Sequence, residues 1–347
     1  MKIVLAASSS GGHVFPCLIL GNYLINKGHE VTFIGFKDNY EEKVFPKDNS
    51  IFISYPNSFN KAIISKNKNL KNAYYSVKNT IKESDAIIVF GGFISLLVSF
   101  FSILNHRRYY IHEQNVTIGD SNKICYLGCK RMFRAFRKNH LRKEVIVGNP
   151  SCDMIEKREV VFHHPIRVLF VYGSLGSETL IKKTIEFLNA YDVSKYDITI
   201  VNKLNNNLKT TNYLQNSPSW KKIQRNNIHY KPFIDLRKEL SLYDVIFTRG
   251  GATTLMELVN SGAYVIAIPS PFVKHNHQLK NVLYLSKKGL IEFIEEKDYS
   301  SFSINEILNY YSSHEEIRFD YYLKRKEYMC KDVSKKIEEY IIYDHKN

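Results

Sequence analysis

The sequence predicts an α/β protein of two doubly wound domains, each a parallel sheet with helices on both faces. Three observations predict it. Short apolar runs alternate with helical stretches along most of the 347 residues, the pattern of parallel strands joined by crossover helices. The alternation stops after Gly148-Asn149-Pro150, where residues 151–165 mix charge, Pro165 and little periodicity, and then restarts. Each half also holds the same local design, an apolar strand running into a small-residue loop that opens a helix. The expected division is residues 1–155, residues 160–320, and a C-terminal helix, 321–347, packing back on the core.

In the first half the apolar run Ile3-Val4-Leu5-Ala6 enters the loop Ser8-Ser9-Ser10-Gly11-Gly12, which delivers His13 to the start of an apolar helix. Such a loop lets backbone N–H groups approach a ligand without side chains in the way. Expected strands are 2–6, 30–35, 51–54, 86–90, 108–112 and 144–147. The Lys/Asn-rich stretch 60–72 reads as an exposed loop or helix face. Residues 86–104 (AIIVFGGFISLLVSFFSIL) carry no charge and are long enough to span a bilayer. Gly91-Gly92 splits them, so the expectation is a buried strand, a glycine turn and a short helix with an apolar surface. In the second half, strands are expected at 167–172, 197–201, 228–231, 244–248, 264–268 and 291–293. Gly173-Ser174-Leu175-Gly176-Ser177 forms the second tight loop before a helix.

Composition is globular, with 44% hydrophobic and 13% aromatic residues. The formal net charge is +15, concentrated in the first half, where residues 1–155 hold 21 Lys and Arg against 11 Asp and Glu. A basic half suits nucleic acid, anionic lipid or a phosphorylated substrate. No helix-turn-helix, zinc-finger or RNP signature supports nucleic acid, and abundant Lys, Asn, Ile and Tyr suggest a compositional bias behind part of the charge. Five cysteines, an odd count without CxxC spacing, point to a reduced, cytosolic chain. The chain enters a strand at once, so no signal peptide is expected.

The chemistry lies in the loops. His13 places a titratable imidazole beside the first loop, suited to proton transfer near neutral pH. After the strand ending at Thr248 come Arg249-Gly250-Gly251-Ala252-Thr253-Thr254 and then Glu257. Amides at that helix start can hold a diphosphate, and a carboxylate one turn in can accept from two ribose hydroxyls. A capped helix with an acidic first turn explains the same residues. His275-Asn276-His277-Gln278, with Asn281, is dense in uncharged donors and acceptors, as a sugar-reading loop or a polar surface loop would be. His112-Glu113-Gln114-Asn115 follows a strand, and Glu113 could hold an imidazole or a substrate hydroxyl. Adjacent His112 and Glu113 point to opposite faces, which disfavours a metal pair. No Asp-x-Asp pair is present, against a metal-chelated nucleotide.

Taken in order, these segments resemble the MurG family: Ser10-Gly11-Gly12-His13-Val14-Phe15-Pro16, His112-Glu113-Gln114-Asn115 with Gly119, Gly148-Asn149-Pro150, Gly173-Ser174-x-Gly176, Arg249-x-Gly251-Ala252-x-Thr254-x-x-Glu257 and His277-Gln278-x-x-Asn281. The resemblance spans residues 1 to about 285. It implies a GT-B fold and transfer of GlcNAc from UDP-GlcNAc to lipid I, giving lipid II for peptidoglycan synthesis. It implies that His13 is the general base, helped by the Ser10 loop with Gly11 and Gly12, that Glu113 and Asn115 serve the acceptor side, and that Glu113 shares in catalysis. It further implies that Ser174 and the loop Gly251, Ala252, Thr253 and Thr254 serve the UDP diphosphate, Phe233 and Ile234 the uracil, Glu257 the ribose, and His277, Gln278 and Asn281 the donor sugar, with Arg249 a further substrate-binding residue. The chain departs from the family's pattern in Ser8-Ser9-Ser10 for Gly-Gly-Thr, Tyr172 for Gly, Ser177 for Ala, Cys152 where an Arg is usual, and Leu96-Leu97 where Gly-Pro is usual. Most departures lie on the acceptor side.

The expectation is therefore an inverting, metal-independent hexosyltransferase without cofactor. Its expected partners are UDP-GlcNAc, an undecaprenyl-pyrophosphate-linked acceptor and an anionic membrane surface, with no nucleic acid. The expected place is the cytoplasmic face of the cell membrane, docked peripherally through the apolar helix 93–104 and its basic neighbours Arg107, Arg108, Lys130, Arg131, Arg134, Arg137 and Lys138. Another lipid or polysaccharide acceptor, or a non-catalytic homologue, are the alternatives.

Overall fold

A computed structural model describes residues 1–8, 11–55, 67–137, 141–155, 160–173, 177–201 and 227–347. The chain forms two compact units, one of residues 1–154 and 330–347, the other of residues 155–329.

The first unit runs β1 (Lys2–Ala6), α1 (Gly11–Asn26), β2 (Glu30–Phe36), α2 (Tyr40–Val44), β3 (Ser50–Ile53), α3 (Asn67–Glu83), β4 (Ala86–Val89), α4 (Phe93–Leu104), β5 (Tyr109–Glu113), α5 (Asp120–Tyr126), β6 (Arg131–Arg134) and β7 (Glu144–Ile146). All seven strands are parallel, in the order β3-β2-β1-β4-β5-β6-β7. Strand β1 shows why the sheet is covered on both faces. Ile3 and Leu5 pack with Val14, Leu20 and Leu24 of α1, whereas Val4 and Ala6 pack with Val77 and Ile81 of α3 and Val98 of α4. An apolar run without alternation is what a doubly covered parallel strand requires.

The second unit runs β8 (Ile166–Val171), α6 (Glu178–Ala190), β9 (Tyr196–Val201), β10 (Ile228–Lys231), α7 (Leu236–Glu239), β11 (Val245–Thr248), α8 (Ala252–Val259), β12 (Tyr264–Ala267), α9 (His277–Ser286), β13 (Glu292–Phe293), α10 (Ser301–Ser313) and α11 (Ile317–Arg325). Its six strands are parallel, in the order β10-β9-β8-β11-β12-β13. Val168, Phe170, Ile198, Val245, Phe247 and Ile266 form one core with Leu180, Ile185, Ile304 and Leu308 of the flanking helices.

The last helix, α12 (Val333–Lys346), belongs to the first unit, where Val333, Ile337 and Ile341 join the core beside α1. Asp153 caps it, accepting from Val333 N at 2.8 Å and Ser334 N at 2.7 Å. The C-terminal segment thus divides. Helix α11 stays with the second unit because its Arg318 is buried there on Asp244 and the Gly262 carbonyl, and its Arg325 on the carbonyls of Leu290 and Ala263.

Strand β6 was not expected. Its sequence Arg-Met-Phe-Arg has charge at both ends, but both charges are used internally. Arg134 is buried against Glu144 at 2.6 Å, and Arg131 forms a two-point pair with Asp344 of α12. The uncharged segment 86–104 is strand β4, a Gly91-Gly92 turn and helix α4, and among the described residues no helix is long and apolar enough to cross a membrane.

Candidate active site

In an open parallel sheet, ligands bind beyond the carboxyl ends of the strands, where the strand order reverses. In the first unit that place is between β1 and β4. The chain leaves β1 through Ser8, and α1 begins at Gly11; residues 9 and 10, and so Ser10, lie outside the described residues. Gly11, Gly12 and His13 form the first turn of α1 and are half-buried. From β4 the chain makes a turn at Gly91 (φ +112°) and Gly92 (φ +78°), a backbone only glycine adopts without strain. Ser95 Oγ accepts from Gly91 N at 2.8 Å and fixes the turn.

The imidazole of His13 lies against this turn. A Cβ placed on Gly91 would sit 2.8 Å from His13 Nε2. His13 Nδ1 is 3.2 Å from the carbonyl oxygen of Ser8, which can only accept, so Nδ1 carries the proton. In the neutral ring Nε2 is then the basic nitrogen. The arrangement holds the tautomer a general base needs.

Beside it, His112 is fully buried, stacked on Phe90 at 5.2 Å and donating from Nε2 to the Gly148 carbonyl at 3.0 Å. Its pKa is pushed down to about 4, first by burial and then by the charges of Arg134 and His13, although the Gly148 contact acts the other way. His112 is a neutral wall of the site.

Glu113 is also buried, and its carboxylate organises the next loop. Oε1 accepts from Asn115 N at 2.8 Å and Asn115 Nδ2 at 3.2 Å, and Oε2 from Gly119 N at 2.8 Å and Asn122 Nδ2 at 2.9 Å. Four donors occupy the four lone-pair directions of the carboxylate. In this structure the carboxylate shapes the loop 114–122. Asn115, half-buried, is held by it. Cys152, at the position expected to matter for charge, is buried on Cys330.

In the second unit the order reverses between β8 and β11. The loop after β8 begins at Gly173 (φ +84°), and Ser174 lies outside the described residues. Ser177 caps α6, its oxygen accepting from Leu180 N at 3.4 Å. After β11, Gly250 passes against α9, where a Cβ would meet the Gln278 carbonyl at 2.8 Å. Gly251 is the N-cap of α8, so the amides of Ala252, Thr253 and Thr254 lie in its first turn, where helix amides lack intrahelical acceptors. Glu257 is in the same helix and 7% exposed. Phe233 is exposed and Ile234 buried just before α7.

Arg249 and Asn281 are both engaged within the second unit itself. Arg249 is only 12% exposed. Its guanidinium donates to Glu296 Oε2 at 2.6 Å, Ser177 Oγ at 2.7 Å and the Ile268 carbonyl at 3.3 Å. Asn281 is fully buried, donating to the Gly250 carbonyl at 3.3 Å beneath the loop. Gln278 Oε1 accepts from Gly250 N at 3.3 Å and Ser270 N at 2.9 Å, so its NH2 group is the part able to meet a hydroxyl. His277, half-buried at the start of α9, follows two left-handed non-glycine residues, His275 (φ 57°) and Asn276 (φ 50°). Such backbone costs on the order of 1–3 kcal/mol each and clusters at ligand sites. Glu296 was missed by sequence reasoning, because it stands in the run Glu295-Glu296-Lys297-Asp298, which reads as a solvated turn. Among the described residues no group of three or more His, Cys, Asp or Glu side chains could hold a metal ion.

Two family models match the chain, the glycosyltransferase family 28 N-terminal domain over residues 3–134 and its C-terminal domain over residues 167–338. A curated relative from a Sulfurihydrogenibium species is 30% identical, covering 100% of this chain and 99% of the relative. It is named a UDP-N-acetylglucosamine–N-acetylmuramyl-(pentapeptide) pyrophosphoryl-undecaprenol N-acetylglucosamine transferase. This chain belongs to the MurG family. A second relative of the same name, from Wigglesworthia glossinidia brevipalpis, is 31% identical over 89% of this chain and 88% of its own length. A crystal structure of MurG from Acinetobacter baumannii superposes with a TM-score of 0.76 at 22% identity, covering 99% of this chain and 100% of that one. The two parallel sheets are those of the GT-B fold, and the chain is a glycosyltransferase of family 28.

Proposed function

We propose that this chain transfers GlcNAc from UDP-GlcNAc to a lipid-linked pyrophosphoryl acceptor, lipid I, as the lipid II-forming step of peptidoglycan synthesis. The curated relatives' shared name supports the substrates. The geometry of His13 is the observation that carries the mechanism. An acceptor hydroxyl oxygen attacks the anomeric carbon while its proton passes to His13 Nε2. The bond from that carbon to the UDP oxygen breaks on the opposite side, so configuration inverts. UDP leaves with the bonding electron pair, and the amides of Ala252 to Thr254 stabilise its charge as fixed dipoles. In this reading Thr253, Thr254 and Gly251 cradle the diphosphate together with Ser174, the Ser10 loop with Gly11 and Gly12 assists His13, Phe233 and Ile234 flank the base, Glu257 holds the ribose, and His277 with Gln278 meets the sugar. The reaction needs no metal in this scheme.

The acceptor side sits on a membrane face in the same reading. Helix α4 exposes Phe100, Ile103 and Leu104, and its neighbour α5 and the following turn expose Ile124 and Leu127. Arg107, Lys123 and Lys130 are exposed cations of these segments. Arg131 and Arg134 drop out of the expected basic ring, because each is committed to an internal carboxylate. An apolar patch with cationic flanks suits peripheral docking on anionic lipid, here the cytoplasmic face of the cell membrane.

The test is transfer by the purified chain from a panel of UDP-sugars to a lipid I analogue and to diacylglycerol, with and without EDTA. The expected result is a GlcNAc-bearing lipid I product, formed equally with EDTA. Transfer to diacylglycerol alone, or none to either, would overturn the proposal.

A further inference from the structure

The strand-order reversal of the second unit carries a polar relay that the mechanism above does not use. Arg249, the residue after β11, reaches across to the loop after β8. Its Nη1 donates to Glu296 Oε2 at 2.6 Å, and its Nη2 to Ser177 Oγ at 2.7 Å. Both charged side chains are only 12% exposed, so removing either one leaves the other charge buried without its partner. Glu296 is itself fixed from behind. Its carbonyl accepts from Lys183 Nζ of α6 at 3.2 Å, and the nearby Tyr299 hydroxyl is buried on Tyr172 and Thr184.

The consequence falls on Ser177. A hydroxyl oxygen has two lone pairs and one proton. Both lone pairs are taken, by Arg249 Nη2 and by Leu180 N. The proton must therefore point along the remaining direction, and no described residue accepts it. Ser177 is a donor held in one orientation at the N-cap of α6, the helix end that favours an anion.

We propose that Glu296 is a positioning residue for the donor diphosphate. It holds the Arg249 guanidinium, which in turn aims the Ser177 hydroxyl proton at a phosphate oxygen. The inference rests on the function proposed above. It places Glu296 and Arg249 behind the ligand contact and Ser177 at it.

The experiment measures UDP and uridine affinity by calorimetry, and donor KM and kcat, on the full chain and on Glu296→Ala, Glu296→Gln, Ser177→Ala and the Glu296→Ala/Ser177→Ala double variant. Losing one charge-assisted contact to a phosphate weakens UDP about tenfold. Glu296→Ala and Ser177→Ala should each show that loss in UDP affinity and donor KM, with kcat and uridine affinity within about twofold. Glu296→Gln keeps an acceptor for Arg249 and should retain most of the affinity. The double variant should be no weaker than Ser177→Ala alone. Unchanged UDP affinity in Glu296→Ala, equal loss of UDP and uridine, or multiplying losses in the double variant would each overturn the relay. If the unsubstituted chain bound neither UDP nor uridine, the parent reading would fail first and the relay with it.

Discussion

Replacing Gly91 by alanine tests the His13 site without touching His13. The new Cβ would lie 2.8 Å from Nε2 and 3.0 Å from Cδ2 of the ring, where ordinary contact begins at 3.4 Å. The imidazole must therefore recoil by about 0.6 Å, or the turn must move by as much. The backbone also resists, because φ is +112° and alanine there costs on the order of 1–3 kcal/mol. A displacement near 1 Å can lower turnover about 10²-fold, so Gly91→Ala should lower kcat by roughly 10- to 100-fold. His13→Ala should lower it by about 10²–10⁴-fold. Because the first substitution acts through the second residue, the double variant should be no slower than His13→Ala. The assay is steady-state transfer, with UDP affinity and a melting curve as controls. Affinity for UDP should stay unchanged, and the melting point should fall by a few degrees. Turnover of Gly91→Ala within twofold of the unsubstituted chain, or multiplying losses in the double variant, would refute the placement of the ring.

Three further outcomes follow from the same contacts. An unfolded imidazole takes its proton near 6.5, whereas buried His112 resists until about 4, so the folded state loses stability as pH falls through that window and gains nothing above it. The loss approaches roughly 3 kcal/mol, and the urea-unfolding difference between the chain and His112→Gln should shrink by that amount between pH 7 and pH 4. Arg318→Met leaves buried Asp244 without its guanidinium partner and should cost about 3–5 kcal/mol by urea unfolding. Leu104→Ser with Leu127→Ser, at positions 51% and 81% exposed, should cut binding to anionic vesicles at least tenfold by flotation and leave the melting point unchanged.

The parts of this fold that could be read from sequence are those where local chemistry and burial agree. Strand β1 carries Ile3 to Ala6 with both faces covered, and Gly91-Gly92 marks a turn whose backbone excludes other residues. Strand β6 was hidden because its burial depends on Arg134 meeting Glu144 and Arg131 meeting Asp344, the latter pair 213 residues apart. The site divides in the same way. His13 was legible from a strand, a small-residue loop and a helix. Glu113 was recognised as important, but its role depends on where Gly119 and Asn122 fold back, which no spacing reveals. Arg249 and Asn281 carry ligand-type side chains that the fold spends on Glu296 and Gly250. A polar residue type shows that a hydrogen bond is needed; only packing shows whether the partner is substrate or protein.

The most direct measurement is the rate of GlcNAc transfer from UDP-GlcNAc to a lipid I analogue by the purified chain and by His13→Ala, with UDP affinity measured on both. The account requires acceptor-dependent release of UDP, lowered about 10²–10⁴-fold in the variant at unchanged UDP affinity. Equal rates for the two proteins would contradict it.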